Sequence, residues 1–226
     1  MRPRPFTIRL LNTVEPVNTF YHDLIPYWEE QGWQVEVIIS RAQYRSGRQT
    51  TWIGEGTRVH WTTNLGQVTD TRFGKFLIML AYVFSAILRT LAGPAVDRNL
   101  FLTQPPLFYL WGYALKRIRR QPYFIVLMDI YPDIAVQAGL FKIDSLPDRF
   151  LTRLARFGLQ HADAVIVIGR CMQEKVLGMG VSPERIAFFD DTPVNIEAAR
   201  ISGLHAFLVD GIAQVEAQLH DLGIIE

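Results

Sequence analysis

The sequence predicts an α/β fold. It should be a parallel sheet with helices on both faces, extended by a short β-α-β-α tail. Three observations carry this. Short apolar, strand-like runs recur throughout and are separated by stretches of helical length, a rhythm that implies parallel strands joined by helical crossovers. Hydrophobic residues make up 49% of the 226 residues, enough for a sizeable core. The only cysteine is Cys171, so internal disulfides are excluded and a reducing cytoplasm fits best.

Taken in order, Phe6 to Leu11 reads as a first strand. Asn18 can cap a helix running to about Gln31, and Gly32 stops it. Val35 to Ile39 is a second strand, which completes a β-α-β unit and makes the domain Rossmann-like. No G-x-G-x-x-G follows the first strand, so a dinucleotide cradle is not expected. Ser40 to Gly56 is polar and reads as a long loop, and Arg58 to Thr62 as a third strand. Phe73 to Leu91 is a helix, uncharged from Phe76 to Leu88. That run is too short to span a bilayer. It reads either as a core helix or as a surface-lying membrane helix flanked by Arg72, Lys75 and Arg89. Further strands are expected at 99–103, 123–128 and 164–168, with helices at 107–119, 147–160 and from 170 to Met179. In the tail, strands are expected at 186–189 and 205–209, and helices at 194–202 and 212–222.

Of 23 basic and 22 acidic residues, 2 and 8 fall in 183–226, so the first 182 residues keep 21 and 14. This asymmetry at one point suggests two segments, 1–182 and 183–226. The basic segment favours anionic ligands or an anionic membrane surface and is too dilute to indicate nucleic acid. Its densest cluster, Lys116 to Arg120, reads as a solvated helix end. His22, His60, His161, His205 and His220 show no metal-ligand spacing.

In a parallel sheet the ligand lies at the carboxyl ends of the strands. Those ends offer Asn12 to Asn18, Thr103-Gln104-Pro105-Pro106, Asp129-Ile130-Tyr131-Pro132 and Gly169-Arg170. Asp129 leaves an apolar strand directly and should stand at a cleft rim. Partial desolvation there suits a proton acceptor, and the other role open to it is capping the next helix.

Several of these stretches together resemble a known family. They are Tyr21-His22-Asp23-Leu24, Gln31 to Ile38, Thr103 to Pro106, Met128 to Asp133, and Ala162 to Ile168 with Met172. Over residues 6 to 186 they resemble the N-terminal half of GT-B glycosyltransferases of family 4, which add sugars to lipid-linked or saccharide acceptors. The resemblance implies that this half holds the acceptor, with Asn18, His22, Thr103, Gln104, Tyr131 and Arg170 as binding residues and Asp129 as the catalytic residue. It implies no cofactor. It also implies a cytoplasmic location, with peripheral contact at the inner face of the membrane through Phe76 to Leu88. The chain departs from the family in two ways. The first loop lacks the paired glycines many members use near the donor phosphates, and nothing corresponds to the second domain that binds the nucleotide-sugar.

The tail is different. Phe188 to Arg200, then Gly203-Leu204-His205-Ala206, resembles the last motif of haloacid-dehalogenase-superfamily hydrolases, in which paired acids hold Mg²⁺. That implies Asp190 and Asp191 as metal residues. The superfamily's Asp-x-Asp nucleophile is missing, so covalent phosphoryl transfer has no start. The expectation is therefore an acceptor-binding half, inactive alone, fused to a hydrolase-like tail. The alternatives are a binding subunit whose catalytic half comes from a partner, and a divergent Mg²⁺ phosphatase.

Overall fold

The computed structural model describes residues 4–12, 21–40, 56–62 and 72–209. Eight strands form one parallel sheet in the order β3-β2-β1-β4-β5-β6-β7-β8. They are β1 (Thr7–Leu11), β2 (Gln34–Ile39), β3 (Arg58–Trp61), β4 (Arg98–Leu102), β5 (Tyr123–Leu127), β6 (Ala164–Val167), β7 (Ile186–Asp190) and β8 (His205–Leu208). The helices are α1 (Tyr21–Glu30), α2 (Arg72–Ala92), α3 (Tyr109–Arg119), α4 (Asp133–Gln137), α5 (Leu146–His161), α6 (Arg170–Gly178) and α7 (Pro193–Ile201). The expected strands and helices fall within a few residues of these bounds; the short α4 was not anticipated. Asn18, most of the 40–56 loop and the expected helix at 212–222 lie outside the described residues, as does the side chain of His22.

Alternation along the strands divides the core in two. One face carries Leu11, Ile38, Phe101, Ile125, Val165 and Phe188 and is covered by side chains of α2, α3, α5, α6 and α7. The other carries Ile8, Leu10, Val35, Leu100 and Val126 under Ile25 and Trp28 of α1. The tail strands extend the sheet: Val165 of β6 pairs with Ile186 of β7, and Ala187 of β7 with His205 of β8. This gives their backbone groups partners and their apolar residues a shared core.

Close packing orders the helices on the first face. Gly158 of α5 lies against Tyr109 of α3, where a methyl group would come within 2.6 Å of the ring. Tyr123 donates its hydroxyl to the Gly158 carbonyl at 2.6 Å, and Trp111 of α3 donates to Thr90 of α2 at 2.9 Å. So α3 lies between α2 and α5. The basic cluster ending α3 is more engaged than a solvated helix end would be. Arg119 donates to the carbonyls of Thr90, Leu91 and Gly93 at the end of α2. Lys116 pairs with Asp163 at 2.7 Å, while Arg117 and Arg120 are exposed. These cations satisfy carbonyls that the helix terminus leaves unpaired.

Beneath the end of α2 lies a buried polar belt. Arg9 is 0% exposed and pairs through Nε with Glu36 at 2.8 Å on the neighbouring strand. Its other nitrogens donate to Asn99 at 3.4 Å and to the Pro94 carbonyl at 3.0 Å. Burial lowers the Arg9 pKa, and Glu36 opposes that shift. His60 Nε2 lies 2.9 Å from Glu36 and 2.7 Å from Arg89. The first contact requires a proton on Nε2 and the second a lone pair. Burial holds the His60 pKa below its ordinary value of 6.5, with Glu36 acting against that and the nearby arginines adding to it. The neutral ring accepting from Arg89 is therefore the favoured form.

Candidate functional site at the carboxyl edge

The chain lays β1, β2 and β3 in one direction and then returns to place β4 on the other side of β1. The switch point is between β1 and β4, where open α/β sheets bind ligands outside the carboxyl ends. Asn12 follows β1 and Thr103 follows β4, and both are buried. The paired register of Leu11 with Phe101 makes them close neighbours across the switch point. Among the described residues, Asn12 Oδ1 is buried without a hydrogen-bond partner, as is Thr62 Oγ1 at the end of β3. Unpaired buried oxygens are costly unless something satisfies them, and both of these lie at the carboxyl ends of their strands. Sequence reading named the Asn12 loop but not Asn12 as a site residue. An asparagine directly following the strand-like run Phe6 to Leu11 was the available signal.

Gln104 is exposed at the same rim. One strand over, β5 ends in Asp129 and Tyr131, both half-buried. Burial, then the charge of Asp129, raises the Tyr131 pKa, so its phenol is protonated at neutral pH and can donate a hydrogen bond. The turns after β4 and β5 each contain a cis peptide, at Gln104–Pro105 and Tyr131–Pro132. Lys175 of α6 pairs with Asp133 at the start of α4, tying the turn after β5 to the helix after β6. Arg170 is exposed at the start of α6, at the end of the next strand. The edge thus gathers Thr103, Gln104, Asp129, Tyr131 and Arg170 along three adjacent strands, as their positions in the sequence led us to expect. Cys171 is exposed in the first turn of α6.

Asp190 ends β7, beyond β6, so the two tail aspartates stand apart from the Asp129 group. Asp190 accepts from the Thr192 amide at 2.8 Å and from Asn195 Nδ2 at 3.1 Å, which fixes the turn leading into α7. Burial works to raise its carboxyl pKa, but these bonds outweigh burial and leave it below the ordinary value. Asp191 is exposed and accepts from the Thr192 hydroxyl at 3.2 Å. Among the described residues, no three His, Cys, Asp or Glu side chains converge on a point that could hold a metal. The pair therefore fits a turn held by its own hydrogen bonds better than a Mg²⁺ centre, which needs several oxygens with free lone pairs.

A family model described as a glycosyl transferase 4-like domain matches residues 17–190. The probable glycosyltransferase WbjE of Pseudomonas aeruginosa is 30% identical over 114 residues, 50% of this chain and 28% of that protein. Sucrose-phosphate synthase from Thermosynechococcus elongatus superposes with a TM-score of 0.53 at 13% identity, over 78% of this chain and 45% of that one. LpCGTa, solved in complex with UDP, gives 0.51 at 14% identity, over 79% of this chain and 50% of that one. At these identities the structural likeness is one of fold. The chain spans 28% of the curated relative's length and about half of each solved structure.

Proposed function

The chain belongs to the glycosyl transferase 4-like family, and from that premise we propose that residues 1–182 form the acceptor-side half of a GT-B glycosyltransferase. The observation that carries the reading is the polar edge at the switch point, with Asn12 and Thr103 beside Asp129 and Tyr131. In this reading Thr103, Gln104, Tyr131 and Arg170 hold the acceptor, with Asn18 and His22 contributed by the first loop and α1. Asp129 accepts the proton of the attacking hydroxyl as the nucleotide diphosphate leaves the donor sugar. Lipid-linked or saccharide acceptors are the proposed class. The apolar stripe of α2 makes peripheral contact with the membrane, flanked in sequence by Arg72, Lys75 and Arg89. Among the described residues no helix is long and apolar enough to cross a membrane, so this contact is at the surface.

We read 183–226 as a tail of haloacid-dehalogenase-like pattern, whose two described strands extend the sheet. Any Mg²⁺ held by Asp190 and Asp191 is weakly bound. A nucleotide-sugar needs a second surface facing the Asp129 edge, because transfer requires donor and acceptor within attack distance. Such positioning supplies about 7–11 kcal/mol in favourable cases. The 226-residue chain alone is therefore expected to bind acceptor weakly and transfer no sugar.

The test incubates the purified chain with nucleotide-sugars and polyprenyl-phosphate-linked acceptors, following nucleotide release and, separately, acceptor binding. Binding weakened by Thr103→Val without turnover is the expected result. Sustained turnover lost on Asp129→Ala would overturn the half-domain reading and make the chain an enzyme in itself.

A further inference from the structure

The helical layer on the α2 side of the sheet presents two outward stripes. On α2, Phe73, Phe76, Leu80, Phe84, Leu88 and Leu91 recur at helical spacing and are all exposed, Phe73 at 70% and Phe84 at 64%. The buried Tyr82 and Ala86 lie about 200° around the helix from Phe84 and Leu88, so the stripe points away from the sheet. On α5, Leu146, Arg149, Phe150, Arg153, Arg156 and Phe157 are exposed, opposite the buried Ala155 and Leu159. Leu146 is 83% exposed, and Ile143 in the preceding loop is 74% exposed beside the exposed Lys142. Scattered exposed apolar residues are ordinary, but this run of Ile143, Leu146 and Phe150 is continuous with a basic row.

Charge decides what this surface accepts. Segments 72–92 and 109–120 contain no acid. Within 138–161 there are two, of which Asp148 is buried and bonded to the Asp144 amide, leaving Asp144 as the one exposed acid there. Facing it are Lys142, Arg149, Arg153 and Arg156. None of these three arginines forms an ion pair among the described residues, although the exposed arginine row is set between aromatic side chains. A row of cations along one flank of an exposed apolar stripe suits a surface that is anionic at headgroup depth and apolar just beneath.

We propose that α5 and the loop before it form a second membrane-docking element, which binds anionic lipid headgroups through Lys142, Arg149, Arg153 and Arg156 and inserts Ile143, Leu146 and Phe150. The proposal rests on the membrane contact assigned above to α2 for its orientation, since both stripes leave the same side of the sheet. Each helix follows its strand and so begins at the carboxyl edge, which places Phe73 and Leu146 on the cleft side. Docking through this layer holds the Asp129 rim beside the bilayer, within reach of a lipid-linked acceptor.

Flotation with phosphatidylcholine vesicles, with and without phosphatidylglycerol, tests this without any sugar. The parent chain should float only with phosphatidylglycerol and release in high salt. Each arginine near an anionic surface changes partitioning about fivefold, so Arg149→Gln, Arg153→Gln and Arg156→Gln together should weaken binding on the order of a hundredfold. The thermal midpoint of that variant should match the parent's. Ile143→Ser with Phe150→Ser should reduce flotation while leaving its salt dependence in place, and this second variant serves if the first misfolds. Flotation of the triple variant equal to the parent's overturns the proposal. So does flotation indifferent to phosphatidylglycerol, or lipid-free self-association that the same changes abolish. Acceptor binding without flotation would sink this proposal and spare the glycosyltransferase reading; flotation without acceptor binding would do the reverse.

Discussion

Replacing Glu36 with leucine should unfold this protein more readily than almost any other single change on the sheet. Arg9 and Glu36 are 0% and 5% exposed, so the substitution leaves a guanidinium inside the fold without its counter-ion. Breaking a buried pair from one side typically costs about 3–5 kcal/mol. Arg9 retains two neutral acceptors, Asn99 and the Pro94 carbonyl, which puts the expectation at about 3 kcal/mol. For a chain of this size that lowers the thermal midpoint by about 6–12 °C. Urea unfolding followed by tryptophan fluorescence should show a lower midpoint at unchanged m, because the area exposed on unfolding is the same. Arg9→Met combined with Glu36→Leu should cost no more than Glu36→Leu alone, since no charge is then stranded. A loss below about 1 kcal/mol for Glu36→Leu would match an exposed pair and refute the buried belt.

Three further outcomes follow from other positions. His60 has its folded pKa below 6.5, so the unfolded chain binds the extra proton, and stability should decline as pH falls from about 7 through the unfolded value; urea midpoints across that range should flatten in His60→Gln, and an unchanged slope would remove His60 as the cause. Gly158→Ala forces a methyl within 2.6 Å of Tyr109, so overpacking of about 1–3 kcal/mol should exceed the helix-propensity gain of about 0.5–1 kcal/mol. Gly178→Ala, with nothing within 4 Å, is the control and should not lower the midpoint; a higher midpoint for Gly158→Ala would mean that α3 and α5 are not in such close contact. Titration calorimetry with Mg²⁺ should give weak binding at most, and tight binding lost in Asp190→Asn would reveal ligands beyond the turn before α7.

The strand-helix rhythm was legible because period and length are local properties: apolar runs such as Phe124 to Leu127 and Val165 to Val167 can do little but form buried strands. The candidate edge was legible for the same reason, since Thr103 and Asp129 directly follow such runs, Arg170 follows one after a single glycine, and a parallel sheet sends all carboxyl ends one way. Three things needed the fold. Strand order, which places Asn12 beside Thr103 and keeps Asp190 away from Asp129, depends on crossovers that no local pattern encodes. The burial of Arg9 with Glu36 depends on residues 27 apart meeting in register, so in the sequence they read only as charges interrupting two strands. The helix from Phe73 to Leu91 could be read as core or as surface because its composition is apolar nearly all round. Only packing against Ile38 and Trp111 decided which side is covered and turned the phenylalanines of α2 outward, as the contact of Gly158 with Tyr109 did for the arginines of α5.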